Sequence, residues 1–385
     1  MRPSLAVRNG EVLHPDGRLE VTDVEIAKGR ITHIGSRLAG QKEIDASGSY
    51  VLPGLIDLHT HGLRGETADG NLHRLAQLHA AGGATTFCPT LGGAPDVVAE
   101  KMARLLRETD DLREVPQAVG FRLESVYLAL NGAGQRTSLE RIDPRVTGAL
   151  LQAGGGRVRI WDISPELTGS ADAIRQMSAE RIVCSICHTN CTISEGRAAV
   201  EAGARLVTHM FDMFYQAEVT DPDGGVYPAG LTDYLLVEDR AVCELIADGT
   251  HVDPLLVEVA FRCKSPERVA FVTDSSRASG LAPGEHTFDD GRTLLVGGAN
   301  GGVRIPDTLI LAGSALSPID GFRNAIRMFG KDLRTASQVC STTPARLMGL
   351  NKGELASGRD ADIIVLDREL SLQHVVAGGR VVYER

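Results

Sequence analysis

The segment Pro53-Gly54-Leu55-Ile56-Asp57-Leu58-His59-Thr60-His61-Gly62 carries the sharpest chemical signal in the chain. An apolar run that ends on His-x-His reads as a buried strand delivering two imidazoles at its tip. Side chains two apart on a strand share a face, so His59 and His61 would be presented together, which suits a divalent metal. The plain alternative is a pair of solvated loop histidines. The apolar strand ahead and Gly62 behind favour the metal.

Four further residues repeat that placement. His188 follows the apolar run Ile182–Ile186, and His209 ends Leu206-Val207-Thr208. Glu124 follows Val119–Leu123, where a carboxylate can ligate or bridge ions, although a lone Glu there reads better as a surface or ion-paired group. Asp274 follows Val269-Ala270-Phe271-Val272-Thr273. An acid behind so apolar a strand must be paired, metal-bound or catalytic, because burying it alone is too unfavourable. Four His, one Glu and one Asp at strand ends suit metal-assisted hydrolysis, in which one or two divalent ions acidify water and polarise a carbonyl. Asp274 is the candidate proton shuttle, base to the water and acid to the departing amine. Zinc is the first expectation, with iron or manganese as alternatives, since His and carboxylate ligands accept each of them.

Other motifs carry less. In Cys184-Ser185-Ile186-Cys187, with Cys191 beyond, the odd spacing sends the first two thiols to opposite faces of a strand. No second pair completes a tetrahedral site, so buried structural cysteines are expected. Gly82-Gly83, Gly92-Gly93, Gly154-Gly155-Gly156 and Gly297-Gly298 lack the Lys-Ser/Thr of a phosphate-cradling loop.

Positioning those six residues requires a particular scaffold. From Val51 to about Leu350, apolar β-type runs alternate with helical segments such as Leu72–Ala81, Asp96–Arg107, Ala171–Ser178, Ser194–Ala202 and Pro254–Arg262. Near-continuous apolar strands between helices imply a parallel sheet covered on both faces. About eight such units fit an α/β fold of the (β/α)8 TIM-barrel type, with catalytic groups at the strand C-termini. Short strands also crowd both chain ends: Ser4–Val7, Val12–Leu13, Val24–Ala27 and Ile31–Ile34, then Ala361–Leu366, Leu372–Val376 and Val381–Tyr383. Neither end suffices alone. Together they predict a small β-sandwich from residues 1–52 and 349–385, around a barrel spanning 53–348.

Composition narrows the classes. The 385 residues include 40 Lys and Arg against 50 Asp and Glu, a net charge of −10, which argues against nucleic-acid binding. Hydrophobic residues at 43% against 23% charged exclude general disorder, and 43 glycines imply many tight turns. No stretch approaches the ~18 apolar residues of a membrane span. Charge and Gly10 interrupt the N-terminus before a signal-peptide core could form. Seven cysteines do not resemble a small disulfide framework, so reduced thiols and a cytoplasmic setting are expected.

Pro53–Gly62 resembles the strand-one signature of the amidohydrolase superfamily, metal-dependent hydrolases on a TIM barrel with a small β-sandwich drawn from both termini. Several segments are similar to one family within it, the N-acetylglucosamine-6-phosphate deacetylases. They are Cys187-His188-Thr189-Asn190-Cys191-Thr192, Thr208-His209-Met210-Phe211-Asp212 and Asp248-Gly249-Thr250-His251-Val252. Val272-Thr273-Asp274, Leu311-Ala312-Gly313-Ser314, Thr343-Pro344-Ala345-Arg346 and Gly358-Arg359-Asp360-Ala361-Asp362 continue the series. The resemblance implies that Glu124, His188 and His209 hold the main metal ion, with His59 and His61 helping to hold a second. It implies that Asp274 activates water and that His251 contacts an N-acetylated amino sugar. Asp212, Met213, Ala312 and Gly313 would line the same pocket, in a subunit that forms a homodimer.

The chain also departs from that family. Ser125-Val126 follow Glu124 where Gly-Pro is usual, and Asp212-Met213 stand for Asn-Ala. Gln135 replaces a substrate-contacting His. The segment that supplies a phosphate-binding Arg reads Val219-Thr220-Asp221-Pro222-Asp223-Gly224, whose acids would repel a phosphate dianion. The alternatives are therefore an amidohydrolase acting on a non-phosphorylated substrate (a cyclic amide, an N-acyl amino acid or a heterocycle) and a non-catalytic binding barrel.

Overall fold

Eight strands with almost every side chain buried form one parallel sheet. In chain order they are Leu55–Thr60, Ala84–Leu91, Phe121–Leu123, Val158–Ile163, Val183–Ile186, Leu206–Val207, Val242–Ile246 and Val269–Val272. The computed structural model describes residues 4–130, 132, 138–214, 228–298 and 300–385. Each strand lies beside its sequence neighbour. A helix follows every strand: Leu72–Ala81, Pro95–Glu108, Pro144–Ala153, Ser170–Ala179, Ile193–Ala202, Leu231–Val237, Pro254–Cys263 and Pro318–Arg327. This is the expected barrel.

The barrel closes at its C-terminal mouth. The N–H of Asp274 donates to the carbonyl of His59 at 2.9 Å, and the N–H of His61 donates to the carbonyl of Ser275 at 2.6 Å. The eighth strand thus meets the first through the peptides that carry three candidate site residues. The lower end is plugged: Ala345 and Met348 pack with Ile56, Leu58, Cys88, Ile160, Leu206, Ile246 and Val272. Ser341 Oγ donates to the carbonyl of Gly54, tying that plug to the start of the first strand.

Both chain ends build a second, eight-stranded sheet. Tyr50–Pro53 lies between Leu5–Leu13 and Ile363–Leu366, so N- and C-terminal strands share one hydrogen-bonded ladder. The sheet curls, because Ile31 exchanges backbone bonds with Arg359 and Gly358. Leu5, Val7, Val24, Ile26, Val51, Ile363 and Val376 fill the core it encloses. Lys28-Gly29 forms the tight turn of a hairpin, with φ of 53° and 81°, the conformation whose twist matches the flanking strands.

Three local features go beyond what the sequence shows. The expected strands Ser4–Val7 and Val12–Leu13 are one strand, Leu5–Leu13, with a bulge at Asn9-Gly10, where Asn9 (φ 60°) donates its N–H to Asp23. The run Leu206-Val207-Thr208 supplies only Leu206–Val207 to the ladder, because His209 leaves it with a positive φ. An antiparallel insertion, Gly284–Thr287, Thr293–Val296 and Val303–Arg304, follows the eighth strand. Its short, half-exposed strands carry too little apolar alternation to be read from sequence.

Candidate metal centre and active site

The six candidates come from five different strand ends, and the four histidines converge on the two oxygens of Glu124. Glu124 Oε1 lies 3.1 Å from His209 Nε2 and 3.4 Å from His188 Nε2. Glu124 Oε2 lies 2.8 Å from His61 Nε2 and 3.1 Å from His59 Nε2. Asp274 Oδ1 stands 3.3 Å from His59 Nε2 and 3.4 Å from His61 Nε2. The donors form two groups, His59–His61–Asp274 and Glu124–Cys187–His188–His209. Ligands ~2.1 Å from a tetrahedral ion stand about 3.4 Å apart, so both the donor types and their spacing fit a divalent cation.

Local structure aims each ring. His188 pairs its Nδ1 with the carbonyl of Leu130 at 3.1 Å, and His209 pairs its own with the carbonyl of Asp212 at 3.3 Å. A proton on Nδ1 leaves Nε2 as the lone-pair nitrogen facing Glu124. His188, His209 and Asp274 all have positive φ, at 45°, 26° and 44°. Such backbone costs about 1–3 kcal/mol per residue and concentrates at functional sites. Beyond His188, a capping box between Thr192 and Glu195 starts the next helix and fixes the loop's exit.

Electrostatics are dominated by burial and its compensation. Burial opposes ionisation of Glu124, but His59, His188 and His209 overcome it and hold its pKa well below the carboxylate range. Asp274 is likewise lowered: burial resists, and His59 and His61 outweigh it. Burial also opposes protonation of His61 and His209, yet the carboxylates raise each to about 10. Protons and a divalent cation therefore compete for the same nitrogens.

The remaining candidates surround this centre. His251 Nδ1 lies 2.7 Å from Asp248 Oδ2, and although burial opposes its charge, Asp248 and then Asp274 and Asp212 raise its pKa. Asp212 Oδ2 sits 4.0 Å from His209 Nδ1. The carbonyl of Met213 accepts from Thr189 N–H at 3.1 Å. Ala312 and Gly313 each bond to Val303 in the insertion, and Ser314 N–H, next to Gly313, donates to the carbonyl of Asp274 at 2.9 Å. Gln135 and the 219–224 segment lie outside the described residues.

Sequence reasoning missed three charged groups and the closeness of one thiol to the centre. Arg122, Asp162 and Glu244 form a solvent-free charged layer inside the barrel. Burial opposes the charge on Glu244, but Arg122 and His59 draw its pKa to about 2. Cys187 is buried as expected, yet its Sγ is 3.9 Å from Glu124 Oε1, while Cys184 faces the neighbouring helix near Ser178. The inward position of Arg122, two residues before Glu124 in the strand, was the available signal.

Known proteins place this arrangement. The chain is 26% identical over 388 residues to the N-acetylglucosamine-6-phosphate deacetylase of Lysinibacillus sphaericus, covering 98% of this chain and 97% of that one. It is 28% identical over 388 residues to the N-acetylgalactosamine-6-phosphate deacetylase of Escherichia coli O157:H7, covering 97% and 98%. The crystal structure of N-acetyl-D-glucosamine-6-phosphate deacetylase from Mycobacterium smegmatis superposes with a TM-score of 0.86 at 29% identity, covering 99% of this chain and all of that one. The model of the amidohydrolase family matches residues 50–382, a span that holds the barrel and every candidate ligand. The chain belongs to the amidohydrolase family, hydrolases that act on amide bonds.

Proposed function

We propose that this protein is a divalent-metal-dependent deacetylase that removes acetate from an N-acetylated amino sugar, carried as its 6-phosphate. The observation that supports this reading is the division of Glu124: one oxygen faces His188 and His209, the other faces His59 and His61, with Asp274 beside them. Relatives that span nearly the whole chain are named for sugar 6-phosphate deacetylation.

In this reading Glu124, His188 and His209 hold one ion, and His59 and His61 hold a second. Bound ions would supply Lewis acidity, polarising the acetyl oxygen and lowering the pKa of water toward ~7. The chain's own groups then move the protons. Asp274, ionised in its buried seat, takes a proton from the attacking water and returns it to the amine nitrogen as the C–N bond breaks. The products are acetate and the free amino sugar. His251, held by Asp248, is placed to orient a sugar hydroxyl.

A second reading keeps the chemistry but drops the phosphate, favoured by Asp221 and Asp223 where a phosphate-binding Arg is usual. The experiment is a deacetylation assay on N-acetylglucosamine-6-phosphate, its galactosamine epimer and both unphosphorylated forms, with bound metal counted in the same preparation. Turnover preferring a phosphorylated sugar supports the first reading. Turnover of the plain sugars alone supports the second, and none on any of them, with metal bound, rejects both.

A further inference from the structure

Beneath the donor groups lies a charged layer from which water is excluded. Arg122 is wholly buried, with its Nε and Nη2 donating to Asp162 at 2.8 and 2.9 Å. Its Nη1 donates to Glu244 Oε1 at 2.7 Å, and its Nη2 also reaches Thr208 Oγ1 at 2.8 Å. Both Asp162 oxygens and one Glu244 oxygen are thereby used. The other, Glu244 Oε2, is buried without a hydrogen-bond partner, and so is His59 Nδ1. These two orphaned atoms are 3.8 Å apart.

An acceptor and a potential donor left facing each other in a dry interior each carry an unmet desolvation penalty. His59 Nε2 is turned toward Glu124 and Asp274, so Nδ1 is the nitrogen directed away from the donor groups. His188 and His209 have backbone carbonyls for that role. Among these three rings, only His59 leaves Nδ1 without a hydrogen-bond partner, and the nearest acceptor facing it is the carboxylate of Glu244. The layer sets one guanidinium against two carboxylates, which leaves a net negative charge below the histidines.

We infer that Glu244, clamped by Arg122, is a positioning residue for His59: Glu244 Oε2 accepts the Nδ1–H of His59 when Nε2 binds a metal ion. This fixes the ring's tautomer and sets how tightly the His59–His61 pair holds its ion. Arg122 keeps Oε1 engaged, so Glu244 supports a ligand without becoming one. Outer carboxylates of this kind change metal affinity by roughly 10- to 100-fold. The inference rests on the two-ion reading above.

The test loads the full chain with zinc and counts ions retained during dialysis against graded chelator, for wild type and Glu244→Gln. One ion should leave the variant at roughly 10- to 100-fold lower chelator strength, with the other unchanged. Loss of both ions in parallel, which a purely structural role would give, overturns the inference, as does unchanged retention of both. A wild type that holds fewer than two ions rejects the two-ion reading itself and this inference with it, before any variant is compared. A second measurement does not depend on the variant folding: nitrogen NMR of the zinc-loaded wild type should show a slowly exchanging proton on His59 Nδ1. A bare or freely exchanging Nδ1 overturns the inference.

Discussion

Asp274 and Glu124 are both buried carboxylates at one mouth, but their surroundings separate their tasks. Glu124 is engaged on both oxygens by imidazoles, whereas Asp274 meets only the His59–His61 side. Asp274→Asn should therefore retain metal and fold while turnover falls by roughly 10²- to 10⁴-fold. Near wild-type turnover in that variant would falsify the proton-shuttle assignment. His188→Ala removes a ligand rather than a shuttle, so metal analysis should find one ion fewer per chain as activity is lost. At this scale the sequence was informative wherever a polar residue ended an apolar strand, because position on a barrel strand implies direction. His59, His61, His188, His209 and Asp274 were visible that way. Glu244 was not: it sits within an apolar strand 122 positions from Arg122, and no local pattern connects them.

Elements were legible where burial is one-sided and periodic. The helix Leu72–Ala81 occupies the residues its pattern predicts, since its apolar stripe faces the sheet. The insertion at 284–304 was not legible, because its short strands bury few side chains, chiefly Val296 and Val303 against Ala278 and Ala315. Its neighbour Gly313 has a φ of 84°, and a Cβ there would meet the carbonyl of Asp274 at 2.7 Å. Gly313→Ala should displace that peptide, lowering kcat while metal content holds and destabilising the fold by ~1–3 kcal/mol in a thermal melt. A second expectation concerns His79, stacked on Phe87 with ring centroids 4.5 Å apart and both ring nitrogens unpartnered. Its 3.9 Å gap to Asp57 is no hydrogen bond, and burial lowers its pKa to about 3. The unfolded chain takes up this proton near pH 6.5 and the folded chain does not, so stability falls as pH drops through that window. Between pH 7 and 5 this contributes about 2 kcal/mol of loss, which urea unfolding of His79→Leu should show to be absent.

At the scale of the whole molecule, ligands from strands far apart in sequence meet only in the closed barrel, so cation binding is linked to global stability. An ion at 100 times its Kd adds ~2.7 kcal/mol. Chelation should lower the melting temperature of wild type, and His188→Ala should lose at least the part of that shift owed to the ion it holds. A shift of the same size in the variant would reject the linkage. The pairing of the chain ends was legible because neither end can form a stable sheet alone; the curl of that sheet was not, since bulges such as Asn9 depend on partners elsewhere. The barrel seam has a further consequence, for synthesis. Glu124, His188 and His209 all leave the ribosome before residue 210, whereas the bonds from Asp274 to His59 and from His61 to Ser275 await the eighth strand. The nascent chain therefore carries every donor of one group early and lacks Asp274 of the other until the eighth strand is made, so translation sets the order in which the two sets of donors become available, while closure brings both together.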